Sequence, residues 1–320
     1  MKRGYMLEYE SQIEKKTIKA KPVLKWVGGK TQLLPELTKR LNKVINECDT
    51  YIEPFIGAGA LFFHLKSNEY LYNTIKKWYI SDFNKDLVLL YRVVKYEVYA
   101  LIKELDIISS KYLKLNDNDR KTFYYDTRAQ FNAILNDINY DLFDESSIKR
   151  AAYIVFLNKT CFNGLYRVNA KGEFNVPMGK YKNPQILNFN NLINVNNILQ
   201  NVEINCHNFS DIKYEINEKT FIYFDPPYRP LKENSSFTAY SKCDFDDEMQ
   251  RNLAKYFKNN HYSSAKMLLS NSDSKLSDKE QDFFDSLYSD FSIERVYALR
   301  NVNSKGNLRG KITEILISNF

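Results

Sequence analysis

Four consecutive residues, Asp225-Pro226-Pro227-Tyr228, follow directly on the apolar run Phe221-Ile222-Tyr223-Phe224. A short apolar run closed by punctuating residues reads as a buried strand of a parallel sheet, and ligands of such sheets collect at the carboxyl ends of the strands. Each proline fixes its own φ and biases the residue before it toward extended geometry. Asp225 and Pro226 are therefore predicted to form a stiff loop with outward carbonyls, outside any strand ladder. Such an acceptor array suits chemistry at the exocyclic amine of a nucleobase. A carboxylate oxygen and a backbone carbonyl, each accepting one N–H, would pull the nitrogen toward tetrahedral geometry and localise its lone pair, while a tyrosine ring holds the base. The amine is inaccessible inside a duplex, so the base has to be flipped out first. A double-proline turn is also ordinary loop chemistry, so the tetrapeptide needs company.

The elements that would position it can be read along the chain. Residues 1–20 are polar without a periodic face and read as a flexible arm. Tyr51-Ile52-Glu53-Pro54-Phe55 reads as a short strand entering the turn Gly57-Ala58-Gly59, then a helix from Ala60 to Leu65. Trp78 to Ser81 reads as a second strand ending at Asp82. A strand, a glycine turn, a helix and a second strand tipped by an acid is how doubly wound folds hold a nucleoside. The turn lacks the third glycine of a dinucleotide fingerprint and the Lys-Ser/Thr of a phosphate loop, so alone it is also what any strand–helix junction looks like. From about 85 to 160 the apolar spacing is helical, as in Leu87–Tyr91 and Ala151–Leu157. Between Lys159 and Tyr181 the texture turns to Asn, Gly, cations and aromatics, a loop or β-ribbon. Sheet texture resumes at Val202–Ile204, Phe221–Phe224, Ala265–Leu269 and Ile312–Ile317, so the core is split around an insertion.

Composition agrees with a folded globule that meets a polyanion: 320 residues, 44% hydrophobic and 15% aromatic, with a net charge of +7. The four cysteines (48, 161, 206, 243) and three histidines (64, 207, 261) do not cluster, so neither a zinc site nor a disulfide framework is expected. No apolar run is long enough for a membrane span and the first residues are not built like a signal peptide. A reducing, cytoplasmic setting is the expectation.

Two further segments carry recognition chemistry. Lys25-Trp26-Val27-Gly28-Gly29-Lys30 packs two cations, a ring and two glycines into six residues. Phe162-Asn163-Gly164-Leu165-Tyr166-Arg167, continuing to Pro177, Lys180 and Tyr181, interleaves aromatics with cations, which suits phosphate contacts, stacking wedges and base edges. Exposed basic loops are common on soluble proteins. It is the order of all four elements, Lys25–Lys30, Glu53–Ala60, Asn163–Tyr181 and Asp225–Tyr228, that resembles the Dam family of DNA adenine N6-methyltransferases, the class with a central target-recognition domain. The resemblance runs from about Val23 to Phe320 and includes Leu269–Ser272 and Arg309–Glu314.

That resemblance implies an α/β, doubly wound, mostly parallel sheet, Rossmann-like and S-adenosylmethionine-dependent, with an inserted, mainly helical DNA-recognition domain. The catalytic domain would comprise 21–95 and 185–320, the insert 96–184. It implies that Trp26, Lys30, Phe55, Gly57, Gly59, Asp82, Asn208 and Asp225 bind S-adenosylmethionine, with Asp82 on the ribose. Asp225, Pro226, Pro227 and Tyr228 would receive the flipped adenine. Lys25 and Arg167 would read guanines of GATC; Phe162 would be the wedge, Asn163 would sit beside the orphan thymine, and Leu165 with Pro177 would contact thymine. Lys180 and Tyr181 would meet the backbone or a base. The partners implied are double-stranded DNA and, as a functional partner, a cognate restriction endonuclease; no metal or membrane is implied. One position departs from the family: Asn208 stands where an acid is usual, and an amide oxygen accepts less strongly than a carboxylate. Asp211 is the second candidate for that role. Two other readings remain open on the residues: a DNA-binding specificity module with weakened catalysis, favoured by Asn208, and cytosine N4 methylation, disfavoured because Asp225 stands where that class usually has Ser.

Overall fold

The computed structural model describes residues 19–26, 28–68, 73–135, 137–229, 245–273, 275, 282–299 and 311–320. The expected arm over 1–20 lies outside them except for Lys19 and Ala20, and so do Val27 and the Arg309-Gly310 part of the last motif.

Seven strands form one sheet: β1 (Thr50–Glu53), β2 (Lys77–Asp82), β3 (Val202–Cys206), β4 (Thr220–Phe224), β5 (Lys266–Ser272), β6 (Ser292–Leu299) and β7 (Lys311–Ser318). Their order is β3-β2-β1-β4-β5-β7-β6. β1 to β5 are parallel, and β7 enters antiparallel between β5 and β6. This is the expected doubly wound α/β sheet. The chain winds from β1 outward through β2 and β3 and then returns to lay β4 on the other side of β1, so the gap between β1 and β4 is the topological switch point. β4 is buried along its whole length, as its unbroken apolar sequence requires of a strand covered on both faces. β6 was not foreseen: its Ser-Ile-Glu-Arg-Val-Tyr sequence mixes charge into an edge strand, so no apolar run announces it.

Each helix that matters to the site has a local reason. α2 (Ala60–Lys66) starts at Gly59, whose backbone is left-handed. α3 (Lys85–Tyr96) is capped by Asn84, whose side-chain oxygen accepts the amides of Asp86 and Leu87 at 3.1 Å. α8 (Asp247–His261) is capped by Asp246 on the Met249 amide and buries Gln250, Leu253, Ala254 and Phe257 as one stripe. α1 (Leu34–Leu41), α7 (Phe189–Leu199) and α9 (Phe283–Leu287) cover the remaining sheet surface.

Between α3 and the Phe162–Tyr181 loop come α4 (Val98–Lys114), α5 (Asp117–Ala133) and α6 (Glu145–Thr160). α6 packs on α3, α4 and α5, and its residues Arg150–Asn158 are buried without a break. These helices share one continuous core with the sheet side that holds Tyr51, Trp78 and Phe221; a second cluster around Ile222, Phe224 and Phe257 fills the other side. Lys159 and Thr160, expected in the loop, complete the last turn of α6; Cys161 to Tyr181 is a loop that opens on a short helical turn at Phe162–Gly164 and is closed by two isolated bridges, Cys161 with Met178 and Val168 with Phe174. No helix among the described residues is long and apolar enough to cross a membrane.

Candidate active site and nucleic-acid face

The parallel strands present their carboxyl ends in a row: Asn208 beyond β3, Asp82 ending β2, Glu53 ending β1 with Gly57 beyond it, Asp225 beyond β4 and Ser270 within β5. Lys30, drawn in from the Lys25–Lys30 segment, closes the switch point. Its Nζ lies 2.9 Å from Asp225 Oδ1, donates to the Gly28 carbonyl at 2.6 Å and sits 4.2 Å from the centre of the Tyr228 ring. Ser270 Oγ donates to the same Asp225 oxygen at 3.0 Å. Asp225 Oδ2 takes no hydrogen bond among the described residues, and the side chain is 20% exposed. Burial pushes the Asp225 carboxyl up from the usual carboxylate range, partly offset by Lys30 and Ser270.

The loop after Asp225 lies outside the strand ladder as expected, but its carbonyls are not all outward. Pro227 O accepts from Gln250 Nε2 at 3.0 Å, Gln250 is itself held by Asn271 at 3.1 Å, and the Arg229 carbonyl accepts from Ser272 Oγ at 2.7 Å. α8 and β5 thus fix the far half of the loop, leaving the Asp225-Pro226 half toward the switch point. Tyr228 is aimed from two sides: Lys30 lies on its ring, and its hydroxyl donates to Glu314 of β7 at 2.6 Å.

On the other side of β1, Asp82 binds the glycine turn to the start of α3. Its Oδ2 accepts the Gly57 amide at 3.0 Å and Oδ1 the Asn84 amide at 2.9 Å. Burial raises its carboxyl against those amides. Each oxygen keeps a lone pair for a further donor such as a ribose hydroxyl. Phe83, beside it, exposes 72% of its surface, a free aromatic face that sequence reasoning did not single out. The Trp26 ring crosses Gly57 so closely that a Cβ there would meet it at 3.2 Å, at a φ of 47°, so any side chain there would be strained and would push on the ring. Tyr91 of α3 fixes the same turn by donating to the Gly57 carbonyl at 2.9 Å. Phe55 packs on Phe209 at 5.5 Å between ring centres, which ties the β1 turn to the β3 tip. There Asn208 uses its side-chain oxygen to cap the next turn through the Ser210 amide at 3.3 Å, while Asp211 is exposed on that turn. An acid, an exposed ring, a glycine turn and a terminal acceptor along one rim fit a nucleoside-type ligand. Glu53, behind them, is buried and raised well above the carboxylate range by desolvation, although Tyr51 donates to it at 2.6 Å.

The residues expected from the sequence to meet nucleic acid lie at one end of α6 and in the loop that follows it. Asn158, buried, clamps the two halves of this face: it accepts the Lys25 amide at 2.9 Å and donates to the Lys25 and Gly164 carbonyls at 2.8 and 2.9 Å. Gly164 has φ 65° and its missing Cβ would lie 2.6 Å from the Lys25 side chain. Lys25 Nζ lies 5.0 Å from the Tyr181 ring centre. Phe162, 49% exposed, is tied through its amide to the Pro177 carbonyl at 2.8 Å, and Asn163 beside it stands exposed at φ 57°. Leu165 is half-buried and Lys180 exposed. Arg167 is reined in by Asn175, to whose side-chain oxygen its Nε donates at 2.6 Å. Lys159, unflagged in the sequence, joins this group, its pKa brought down to about 8 by burial and the nearby Lys25 charge. Tyr166 links both sites: its ring stacks on Trp26 at 5.3 Å and its hydroxyl donates to Asp86 at 2.8 Å. Asn158 and Gln250 were not singled out in the sequence, and Tyr166 and Ser270 stood there only as members of motif segments, because the role of each depends on partners distant along the chain.

Comparison with known proteins agrees with this geometry. The D12 class N6 adenine-specific DNA methyltransferase family matches residues 26–302. The chain is 46% identical to the type II methyltransferase M.MjaIII of Methanocaldococcus jannaschii, over 95% of this chain and all of that protein. It is 36% identical to the type II methyltransferase M1.LlaDCHI of Lactococcus lactis (96% and 98% covered). It is 30% identical to the DNA adenine methylase of Escherichia coli K12 (93% and 95% covered). A match of this extent, on a chain whose strand tips carry an acid beside an Asp-Pro-Pro-Tyr loop, means that the chain belongs to the D12 class of N6 adenine-specific DNA methyltransferases.

Proposed function

We propose that this enzyme transfers a methyl group from S-adenosylmethionine to N6 of adenine in double-stranded GATC, acting on a base flipped out of the duplex. The observation that carries the reading is the half-used carboxylate of Asp225, with Oδ1 held by Lys30 and Ser270 and Oδ2 open at the switch point. Bound S-adenosylmethionine supplies an electrophilic methyl on a sulfonium that is already a good leaving group. Trp26, Phe55, Gly57, Gly59, Asp82 and Asn208 would hold it along the β1–β3 rim, with Asp82 on the ribose and Phe83 against the purine.

The protein's own work is to orient the amine. Oδ2 of Asp225 and the Pro226 carbonyl accept its two N–H groups, localising the lone pair, and the Tyr228 ring stacks on the base. The nitrogen lone pair would take the methyl group that S-adenosylmethionine supplies, the sulfur leaving as a neutral thioether, and the surplus N–H proton would pass to Asp225 Oδ2, which already accepts that N–H. Holding the reactants in line, in a site of fixed dipoles, lowers the barrier without a covalent intermediate.

Residues 96–184 serve in this reading as the recognition insert and 21–95 with 185–320 as the catalytic body. Lys25 and Arg167 read guanines, Phe162 wedges the stack, Asn163, Leu165 and Pro177 line the thymines, and Lys180 and Tyr181 grip the backbone. The test is a plasmid grown with this gene in a methylation-deficient host, challenged with an endonuclease that adenine methylation in GATC blocks. Resistance is expected. Complete digestion, with N6-methyladenine present elsewhere in the same DNA, would move the target to another sequence.

A further inference from the structure

The Asp225 carboxylate is held by more than the lysine. Side chains two apart on a strand share a face, so Tyr223 and Asp225 lie on one side of β4. The parallel register pairs Tyr223 with Leu268 and Phe224 with Leu269, which brings Ser270 opposite Asp225 one step further on. Ser270 Oγ donates to Asp225 Oδ1 at 3.0 Å, so its hydroxyl proton is committed there; the 2.9 Å contact between Ser270 Oγ and the Tyr223 hydroxyl must then be donated by Tyr223. Ser270 and Tyr223 are both inaccessible to solvent, at 0% and 1% exposure. The result is a one-way hydrogen-bonded chain, Tyr223 to Ser270 to Asp225, running through the core to the oxygen that does not face the open side.

We propose that Ser270 and Tyr223 are positioning residues of the methyl transfer, which lock the rotation of the Asp225 carboxyl so that Oδ2 is presented to the target amine. The inference rests on the reading of Asp225 as the amine acceptor. Lys30 alone does not fix that rotation, because a lysine head is a compact charge on a flexible stem that follows either oxygen. Ser270 sits on a buried strand, and its hydroxyl reaches one oxygen from one direction. Polarisation by Tyr223 strengthens the donation, as successive hydrogen bonds in a dry interior reinforce one another. The same chain favours the charged carboxylate that the step needs. The other groups near Asp225 act from separate elements: Lys30 from the segment before α1, Tyr51 and Glu53 from β1, and Tyr228 from its own loop, its hydroxyl turned to Glu314 of β7.

The experiment measures single-turnover methylation against pH for the wild type, Ser270→Ala, Tyr223→Phe and Ser270→Thr, with Asp225→Ala in parallel. Removing the serine hydroxyl should move the acid limb of the rate profile up by about one pH unit and lower the plateau about tenfold, the size of one hydrogen bond to a charged group. Tyr223→Phe should give a smaller displacement in the same direction, and Ser270→Thr, which keeps the hydroxyl, should retain the wild-type limb. Duplex affinity should not change in any of them. An acid limb of Ser270→Ala superimposed on the wild type's, with Asp225→Ala inactive, would reduce Ser270 and Tyr223 to packing and overturn the proposal. Activity surviving in Asp225→Ala would instead remove the reading of Asp225 beneath it.

Discussion

Two carboxylates, one buried four residues beyond the end of β2 and the other half-buried one residue beyond β4, have opposite fates. Asp86, in the first turn of α3, has every oxygen doubly used: Oδ1 takes Arg150 Nε at 2.6 Å and the Tyr140 hydroxyl at 3.0 Å, and Oδ2 takes Arg150 Nη2 at 2.9 Å and the Tyr166 hydroxyl at 2.8 Å. Arg150, fully buried, also donates to the Phe131 carbonyl at 2.8 Å. Asp225 concentrates its partners on one oxygen and leaves the other open among the described residues. A charge taken out of water is tolerated when its hydrogen-bonding capacity is filled. Asp86 fills it with protein, and so ties α6 to α3; Asp225 leaves half of it open, as the proposed acceptor of a substrate N–H requires.

Breaking the saturated pair should cost the most. Arg150→Met keeps the volume but strands Asp86 with two tyrosine hydroxyls, and about 3–5 kcal/mol of folding stability should go. Denaturant unfolding would read that loss, while turnover per folded molecule should persist; lost turnover at unchanged stability would invert the comparison.

Asp225→Ala should do the reverse, lowering turnover by about 10²–10³-fold or more with a melting temperature close to the wild type's and duplex binding retained. Near-wild-type turnover would end the assignment. The pH dependence sharpens the same contrast. Burial holds the folded Asp225 carboxyl above its unfolded value, so its charged form costs stability near neutrality, and that cost is relieved as pH falls through the folded pKa toward the unfolded one. Turnover should fall over that interval while the contribution of Asp225 to stability rises. Parallel loss of both would show that another group controls the acid limb.

On the recognition face, Arg167→Ala should cost about 1–3 kcal/mol of discrimination at one guanine, or roughly 5- to 150-fold. Methylation rates over all single-base variants of GATC would show one position flattened; equal losses everywhere would make Arg167 a phosphate clamp. Smallest of all, Lys180→Ala should weaken every sequence together and reduce the salt dependence by about one phosphate contact, measurable by titrating duplex affinity against salt. A sequence-selective loss there would move Lys180 from the backbone to a base.

Much of this was written plainly in the chain. The Phe221–Phe224 run announced β4 because a strand covered on both faces must be apolar throughout, and the glycine turn after Glu53 announced the strand–helix junction that the structure shows. The helical spacing of Leu87–Tyr91 and Ala151–Leu157 announced α3 and α6. β6 stayed hidden because an edge strand tolerates charge.

The sequence by itself therefore determined most of the element types and the placing of Asp225–Tyr228 at the carboxyl end of a buried strand, since both depend on local periodicity and on neighbours along the chain. Only the tertiary structure decided which polar residues complete the sites. Lys30 reaches Asp225 across 195 positions of sequence numbering, Tyr228 finds Glu314 and Asn158 finds Lys25. Ser270 meets Asp225 through a strand register set by the whole sheet. Hydrogen-bond partnership is a property of distances a few ångströms long, and a chain that must fold before those distances exist does not carry them in its order.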